Sequence, residues 1–144
     1  MASCVLYSGL SPQVINCQEG ASAGSFVDGD LVKTDSAGQV VIASAGKVLG
    51  IARKTATGTQ ATVIPVELID FHSIYTIPYK ASPTAQTVVG VALDLTYGAG
   101  AHTATDASSS ALEVECVGLH PGDVVTTSGG RLLVRFKSDK VDAR

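Results

Sequence analysis

Charged and aromatic side chains are both scarce in this chain. Only 16% of its 144 residues are charged and 5% are aromatic, and tryptophan is absent. A surface with few charges loses little hydration when it packs against another protein, which favours a chain that binds protein surfaces. The scarcity of aromatic rings leaves little to stack on sugars or nucleobases, which argues against a soluble module that binds such ligands.

Cysteines and long apolar runs are also few. Cys4, Cys17 and Cys116 are an odd number without C-x-x-C spacing, so we expect three reduced, packed thiols rather than a disulfide framework or a zinc site. The apolar runs are short, and no basic segment precedes the patch at 4–7, so neither a transmembrane helix nor a signal peptide is expected. The net charge of −3 argues against nucleic acid and anionic membranes as partners.

The pattern from residue 26 onward is typical of an all-β protein. Short runs of β-branched residues alternate with turn residues, which predicts a β-sandwich or β-barrel-like domain of short antiparallel strands. The glycine-rich segment 98–110 reads as a long exposed loop. The predicted strands cover residues 30–33, 39–43, 48–54, 60–68, 73–79, 88–95, 112–119, 124–127 and 131–136.

Four glycines mark the predicted turns between these strands. Gly38 ends a type I turn that begins at Asp35, and Gly58 ends a similar connection. Gly129 and Gly130 belong to the last predicted hairpin. We expect a positive φ at Gly38 and Gly130, because a glycine tolerates that conformation without a steric penalty.

Residues 1–25 read as an extended N-terminal arm ahead of a β-rich domain at 26–144. Glycine, serine and proline interrupt any periodicity there, and a frayed terminus is the alternative interpretation. The arm keeps a few apolar residues that could anchor it on a partner, and its deletion is expected to leave a folded domain. These candidate partner-binding residues are Val5, Leu6, Tyr7, Val14 and Ile15.

The β domain contains one internal echo. Residues 29–41 align with residues 122–133, and both stretches open on Gly-Asp before a run of β-formers. The echo indicates either two related β modules, at 26–70 and 71–144, or the convergence of tight hairpins on the same turn residues.

No motif supports catalysis. Residues 20–24 fit G-x-S-x-G, but a nucleophile elbow needs a strand before it and a helix after it, and neither is predicted. His72, His102 and His120 form no H-x-H pair and occupy a strand start, a loop and a turn, as ordinary surface histidines do. We therefore expect no enzyme, no cofactor and no metal site.

The acidic and basic clusters also read as surface features. Glu113 and Glu115 lie two residues apart and are expected to share the solvent face of a strand. Asp28 and Asp30 flank Gly29 without the ligand spacing of a calcium loop. The basic residues near the C-terminus form a local patch that could pair with acidic neighbours; they are Arg131, Arg135, Lys137, Lys140 and Arg144, interleaved with Asp139 and Asp142.

The stretch from Gly29 to Leu68 contains four short pieces in a fixed order. They are a strand with the sequence GDLVK, a D-x-x-G hairpin in DSAGQVVIASAG, a strand that contains Leu49-Gly50-Ile51-Ala52, and a last strand after Thr57-Gly58. In this order the pieces resemble the capsid cement or decoration proteins of tailed bacteriophages. The resemblance covers about a quarter of the chain.

This resemblance implies a β-tulip-like domain on the exterior of a phage capsid, made in the host cytoplasm and carried in the virion. The implied partners are the major capsid protein and further copies of the chain, as a homotrimer or homodimer. The alternatives are another structural phage component, such as a tail-tube or fibre-base β domain, and a soluble ligand-binding β module.

Overall fold

The computed structural model describes residues 4–9, 11–20, 26–60, 62–79, 89–98, 101–105, 112–122 and 130–142. Within these ranges the chain consists of strands and connections, and its one helical element is a 3-10 turn at Ser138–Lys140. No helix in this part of the chain is long and apolar enough to cross a membrane.

Two antiparallel sheets pack against each other, which confirms the predicted all-β sandwich class. The first sheet contains β2 (Val14–Gln18), β3 (Leu31–Thr34), β4 (Val40–Ile42), β5 (Gly50–Ala52) and β6 (Val63–Leu68). The second contains β1 (Val5–Ser8), β7 (Ile74–Pro78), β8 (Ala92–Gly98), β9 (Ala101–Thr105), β10 (Glu113–Leu119) and β11 (Arg131–Phe136).

The two sheets repeat one strand order. The first sheet runs β2-β6-β5-β3-β4, and the second runs β7-β11-β10-β8-β9 with β1 added beside β7. In each set of five, the first strand pairs with the fifth, and the second pairs with the third and the fourth. A single parallel bridge joins the end of the first strand to the third, Glu19 to Val40 and Tyr79 to Ala104, so each sheet curls towards a small barrel.

The repeat divides the chain near residue 70, where the sequence places the border between two modules. The first set of strands, however, begins at β2 and not at residue 26. The sequence echo does not mark the equivalence, because it matches the start of β4 with the start of β11, whereas the strand order matches β4 with β9. Most of the intervening stretch in the second copy, residues 123–129, lies outside the described residues.

The sandwich contains two apolar cores because the first sheet is buried on both faces. The larger core joins the inner face of the second sheet, including Tyr75 and Phe136, to Leu31 and Ile51 of the first. The smaller core lies on the other face of the first sheet, within its curl, and includes Val32. Leu31 and Val32 are neighbours in β3 and face different cores, as the two-residue period of a strand requires.

The N-terminal segment is part of both sheets, which corrects the expectation of an arm that lies outside its own domain. β1 pairs with β7 of the second sheet, and β2 pairs with β6 of the first along its whole length. Cys4 is fully buried in the larger core. Interruptions by glycine, serine and proline obscured two short strands, each of which needs only alternate residues facing inward.

The N-terminal and C-terminal segments each contact the sheet formed mainly by the other half of the chain. The N-terminal β1 belongs to the second sheet, whereas Val141 near the C-terminus bridges to Val48 beside the first. The Val48 amide donates to the Lys140 carbonyl at 2.8 Å, and the Asp142 amide donates to the Val48 carbonyl at 2.9 Å. Each terminus therefore ties one half of the chain to the other.

The predicted loop at 98–110 is wrong for residues 101–105. These residues form β9, which pairs with β8 in a hairpin from Asp94 opposite Thr105 to Gly98 opposite Ala101. Glycines and alanines made the stretch look irregular, but His102 and Ala104 alternate into the buried side of the sheet. Burial against the first sheet stabilises a strand that local propensity does not favour.

Two of the four predicted turn glycines, Gly38 and Gly58, have a positive φ. Gly38 has a φ of 77° and Gly58 a φ of 80°, both in the left-handed region. Asp35 organises the Gly38 hairpin, because its Oδ1 accepts the amides of Ala37 at 2.8 Å and Gln39 at 3.0 Å. Gly129 lies outside the described residues, and the carbonyl of Gly130 accepts the Tyr79 amide at 2.9 Å.

Candidate interaction surfaces

The candidate anchor residues of the N-terminal segment separate into outward and inward positions. Val5 is 45% exposed, Tyr7 46% and Val14 57%, which is unusual exposure for large apolar side chains. Leu6 and Ile15 alternate with them and pack against the larger and the smaller core. The segment thus anchors itself with one face and presents apolar side chains with the other.

The first exposed apolar surface is the free side of β1, called here the β1 edge. β1 lies at the end of the second sheet, and β7 is its one strand neighbour among the described residues. The strand sequence Val-Leu-Tyr-Ser carries no charge and no proline, but its register against β7 shifts between Leu6 and Ser8, and such an irregularity is another feature that protects an edge strand from pairing. The Tyr7 ring contacts the His120 ring edge-on, with 5.8 Å between their centroids.

The second exposed apolar surface is the outer side of β2 and β6, called here the β2–β6 face. Val14 and Val63, which is 52% exposed, lie on it. Val14 is opposite Glu67, and Val63 is opposite Gln18, so the valines mark its two ends. The inward neighbours Ile15 and Cys17 contribute to the smaller core.

An ion pair lies at the Val14 end of this face. The Arg53 Nη2 atom is 2.7 Å from Glu67 Oε1, and its Nη1 atom is 3.9 Å from Asp28 Oδ1. The other oxygen of Glu67 is buried and has no hydrogen-bond partner among the described residues. Burial, helped by the charge of Glu67, raises the pKa of the Cys4 thiol, which keeps that thiol protonated and unreactive.

The structure separates the three histidines and corrects the placement of one. His72 and His120 lie at the surface, next to Phe71 and Tyr7 respectively. His102, expected on a surface loop, is fully buried between the two sheets. Within the described residues, no three His, Cys, Asp or Glu side chains are grouped so that they could hold a metal ion.

His102 joins the two halves of the molecule by hydrogen bonds. Its Nδ1 accepts the Leu31 amide at 3.3 Å, and its Nε2 lies 2.7 Å from the Ala43 carbonyl, so the proton resides on Nε2. Asp30 Oδ1 lies 3.8 Å from Nδ1, and both side chains are fully buried. Burial, and then the charge of Asp30, raises the pKa of the neighbouring Tyr97. This cluster lies in the interior and is closed to a substrate.

The acidic pair on β10 is also corrected, because Glu113 is buried while Glu115 is exposed. Lys137 Nζ donates to Glu113 Oε1 at 3.1 Å, and Arg135 lies opposite Glu115 across the strand pair. Basic residues of the C-terminal patch therefore face acids of the same sheet. A shallow groove of about 410 Å³ adjoins them, lined by Phe71, Glu115, Arg135, Phe136, Lys137, Ser138 and Asp139.

No protein-family model, no curated protein and no solved structure matches this chain.

One buried carboxylate that the sequence did not single out is Glu19. It is fully buried where β2 meets β4, and its two oxygens accept the amides of Thr57 at 2.7 Å and Thr59 at 2.9 Å. Burial opposes its ionisation, but hydrogen bonds from Thr57, Gly58 and Thr59 outweigh burial and lower its pKa. The carboxylate fixes the connection between β5 and β6, a role for which sequence spacing carries no signal because the partners are backbone amides.

Proposed function

We propose that this chain is a structural virion protein that binds the outer surface of a tailed-phage head and stabilises the assembled capsid by bridging neighbouring capsid subunits. The observation that carries the proposal is the location of the four sequence pieces in the fold. They supply β3, the β3–β4 hairpin, β5 and β6, which are successive parts of the first sheet. The resemblance thus covers one continuous structural unit, not scattered turns.

The glycine of the third piece has a packing reason. A Cβ atom at Gly50 would collide with the Glu67 backbone carbonyl and would lie 2.7 Å from Val66 Cγ1. β5 and β6 therefore approach each other too closely for any side chain at this position. The glycine of the Leu-Gly-Ile-Ala piece therefore has a structural reason in this sheet, the close approach of β5 and β6.

The β2–β6 face supports a contact with protein. Val14 and Val63 are more than half exposed at its two ends. A strand pair with apolar ends can lie across a seam between two capsid subunits, and each buried square ångström of apolar surface contributes roughly 25 cal/mol. In the proposed complex this face contacts the major capsid protein.

Stabilisation of a head requires no chemistry at the interface. A protein that binds the assembled lattice and not free subunits stabilises the lattice by RT ln(1 + [L]/Kd), about 2.7 kcal/mol per site at a hundredfold excess over Kd. Because a head repeats the same seam many times, modest affinity at each seam makes the whole shell hard to open.

The test uses heads assembled from the major capsid protein encoded beside this chain, prepared without the chain. Purified chain is added, the heads are sedimented, and bound copies are counted. We expect saturable binding at many copies per head for the native chain, and loss of binding for the double variant Val14→Lys, Val63→Lys. Val91→Lys is the matched control, because Val91 is also exposed but lies on another part of the surface.

Three results would overturn parts of the proposal. A genome that encodes the chain without any capsid protein would remove its basis, as would an absence of binding to heads. Equal binding by the double variant and the control, with both folded by circular dichroism, would remove the β2–β6 face as the contact.

A further inference from the structure

We infer that the side of β2 that faces away from β6, called here the β2 edge, accepts an extended segment of the major capsid protein as an added antiparallel strand. The segment pairs with β2 at Val14, Ile15 and Asn16 and carries an apolar side chain opposite Ile15. This contact deepens the proposed function and rests on it, because it states how the side of the molecule that bears the β2–β6 face holds its partner.

The two halves of the chain repeat the register of their strands as well as the strand order. β2 and β7 each contain five residues, and each is followed at once by the residue of its parallel bridge. Ile15, the second residue of β2, lies opposite the fourth residue of β6. Tyr75, the second residue of β7, lies opposite the fourth residue of β11. Ile15 and Tyr75 are therefore equivalent positions, as are Asn16 and Thr76.

In the second half of the chain, a strand occupies the edge that is equivalent to the β2 edge. β1 pairs antiparallel with β7, with Leu6 opposite Tyr75 and Val5 opposite Thr76, ahead of the register shift. These pairs lie at the end of β7 that is remote from its parallel bridge. In the first half, β2 ends the sheet, and β6 is its one strand neighbour in the described part of the chain. The fold itself thus shows which kind of element this position takes.

The backbone of β2 is suited to a further strand. The Gln13 carbonyl accepts the Leu68 amide at 2.8 Å, so the residues with odd numbers bond to β6. The amides and carbonyls of Val14 and Asn16 therefore point away from the sheet. β2 carries no charge and no proline, and its register against β6 is regular, so it lacks the features that protect the edges of sheets from pairing.

The side chains along the β2 edge select an apolar residue in the added strand. Ile15 is partly buried at the margin of the smaller core, whereas the equivalent Tyr75 is 2% exposed and has Leu6 opposite it. Opposite residues share a face, so an apolar side chain opposite Ile15 extends the smaller core as Leu6 extends the larger one. The β2 edge also borders the β2–β6 face at Val14, so one partner can cover both.

The first experiment measures amide hydrogen exchange of the whole chain, free and bound to heads assembled from the capsid protein. The chain is released after exchange, and single amides are read by nuclear magnetic resonance. We expect the Val14 and Asn16 amides to exchange rapidly in the free chain and about tenfold or more slowly on heads. The Ile15 and Cys17 amides, which bond to β6, should exchange slowly in both samples.

Each other outcome of this experiment contradicts the added strand. Binding to heads without protection of the Val14 and Asn16 amides would overturn this inference and leave the proposed function intact. Protection of the same amides in the concentrated chain without heads would assign the β2 edge to a second copy. An absence of binding to heads would overturn both proposals.

The second experiment removes single donors from the β2 edge. Asn16→Pro and Val14→Pro each delete an amide that points away from β6 and keep the hydrogen bonds between β2 and β6. We expect the Kd for heads to rise about tenfold or more for each variant that circular dichroism shows to be folded. Ser36→Pro is the matched control, because Ser36 is exposed at the second position of the β3–β4 turn, where proline is favoured. Equal binding by the folded edge variants and the control would contradict the added strand.

Discussion

At the residue scale, buried polar side chains in this protein hold backbone segments in place. Glu19 binds the 57–59 turn, and His102 binds backbone atoms of β3 and of the segment after β4. The half-buried Asp70 acts in the same way, because its Oδ1 accepts the amides of His72 and Ser73 in the connection between β6 and β7. None of these contacts presents a reactive group to solvent. Glu, His and Asp are residue types that often act in catalysis, but here these side chains hold the segments between strands in place.

The hydrogen bonds that Glu19 accepts should make the free energy of unfolding depend on pH. Because the hydrogen bonds lower the pKa of Glu19 in the folded state, its stabilising effect is complete above the unfolded value of about 4.5 and disappears as the pH falls through the lower folded value. We expect Glu19→Gln to lose on the order of 1–3 kcal/mol at pH 7, and less at pH 3.

Urea unfolding of both proteins at the two pH values measures this difference. Glu115→Gln is the control, because Glu115 is exposed and its loss should change little. A stability difference for Glu19→Gln that is as large at pH 3 as at pH 7 would show that the charge of Glu19 does not contribute.

Two glycines should resist substitution for different reasons. Gly38→Val should cost on the order of 1–2 kcal/mol because φ is 77° there, although the space around it is open, and Gly38→Asn should recover most of the loss. Gly50→Ala should cost about 1–3 kcal/mol through collision with β6, and Gly50→Asn should be worse. The melting temperatures of these variants measure the losses. If asparagine recovered the melting temperature at Gly50 as well as at Gly38, the steric explanation for Gly50 would be wrong.

At the element scale, the sequence predicted strands well where alternation and turns coincide. The predicted strand at 131–136 agrees with β11 residue for residue, and six others overlap β3 to β8. β10 extends from Glu113 to Leu119, inside the predicted 112–119. The Gly-Asp and D-x-x-G turn sequences allowed these strands to be predicted, because the backbone preferences of turn residues determine where such strands begin and end.

The missed elements are those that depend on partners distant in sequence. β1 and β2 are short, lie between glycine, serine and proline residues, and pair with strands far along the chain. β9 consists of small and polar residues and pairs with its neighbour β8, and the contacts of His102 with Leu31 and Ala43 tie it to distant parts of the chain. The burial of Glu113 and His102 was missed for the same reason, since it depends on contacts from other elements. Two-residue alternation predicts that Val5, Tyr7 and Val14 face outward while Leu6 and Ile15 face inward. That prediction requires knowing that the segment forms β-strands, which the sequence did not show.

Removal of the N-terminal segment should therefore unfold the protein and not release a stable domain. Deletion of residues 2–20 removes β1 from one sheet and β2 from the other, so we expect loss of cooperative thermal unfolding. Deletion of residues 2–9 removes only β1 and should leave a folded chain with a lower melting temperature. Calorimetry of both truncations tests this account, and a sharp transition near the native temperature for the longer deletion would contradict it.

At the scale of the whole molecule, the two sheets share the same strand order, and segments near the two chain ends connect one sheet to the other. β1 extends the second sheet, and Val141 bridges to Val48 beside the first. The central cluster of Asp30, Tyr97 and His102 lies between them. This arrangement leaves the β2–β6 face and the β1 edge exposed at the surface.

We propose that this protein stabilises an assembled head, and the rupture temperature of heads tests that proposal most directly. DNA-filled heads that lack the chain are heated with and without a saturating amount of it, and release of DNA is followed by dye fluorescence. We predict a higher rupture temperature with the chain, and no effect of a chelator on that increase. An identical rupture temperature in both samples, at measured saturation, would contradict the account.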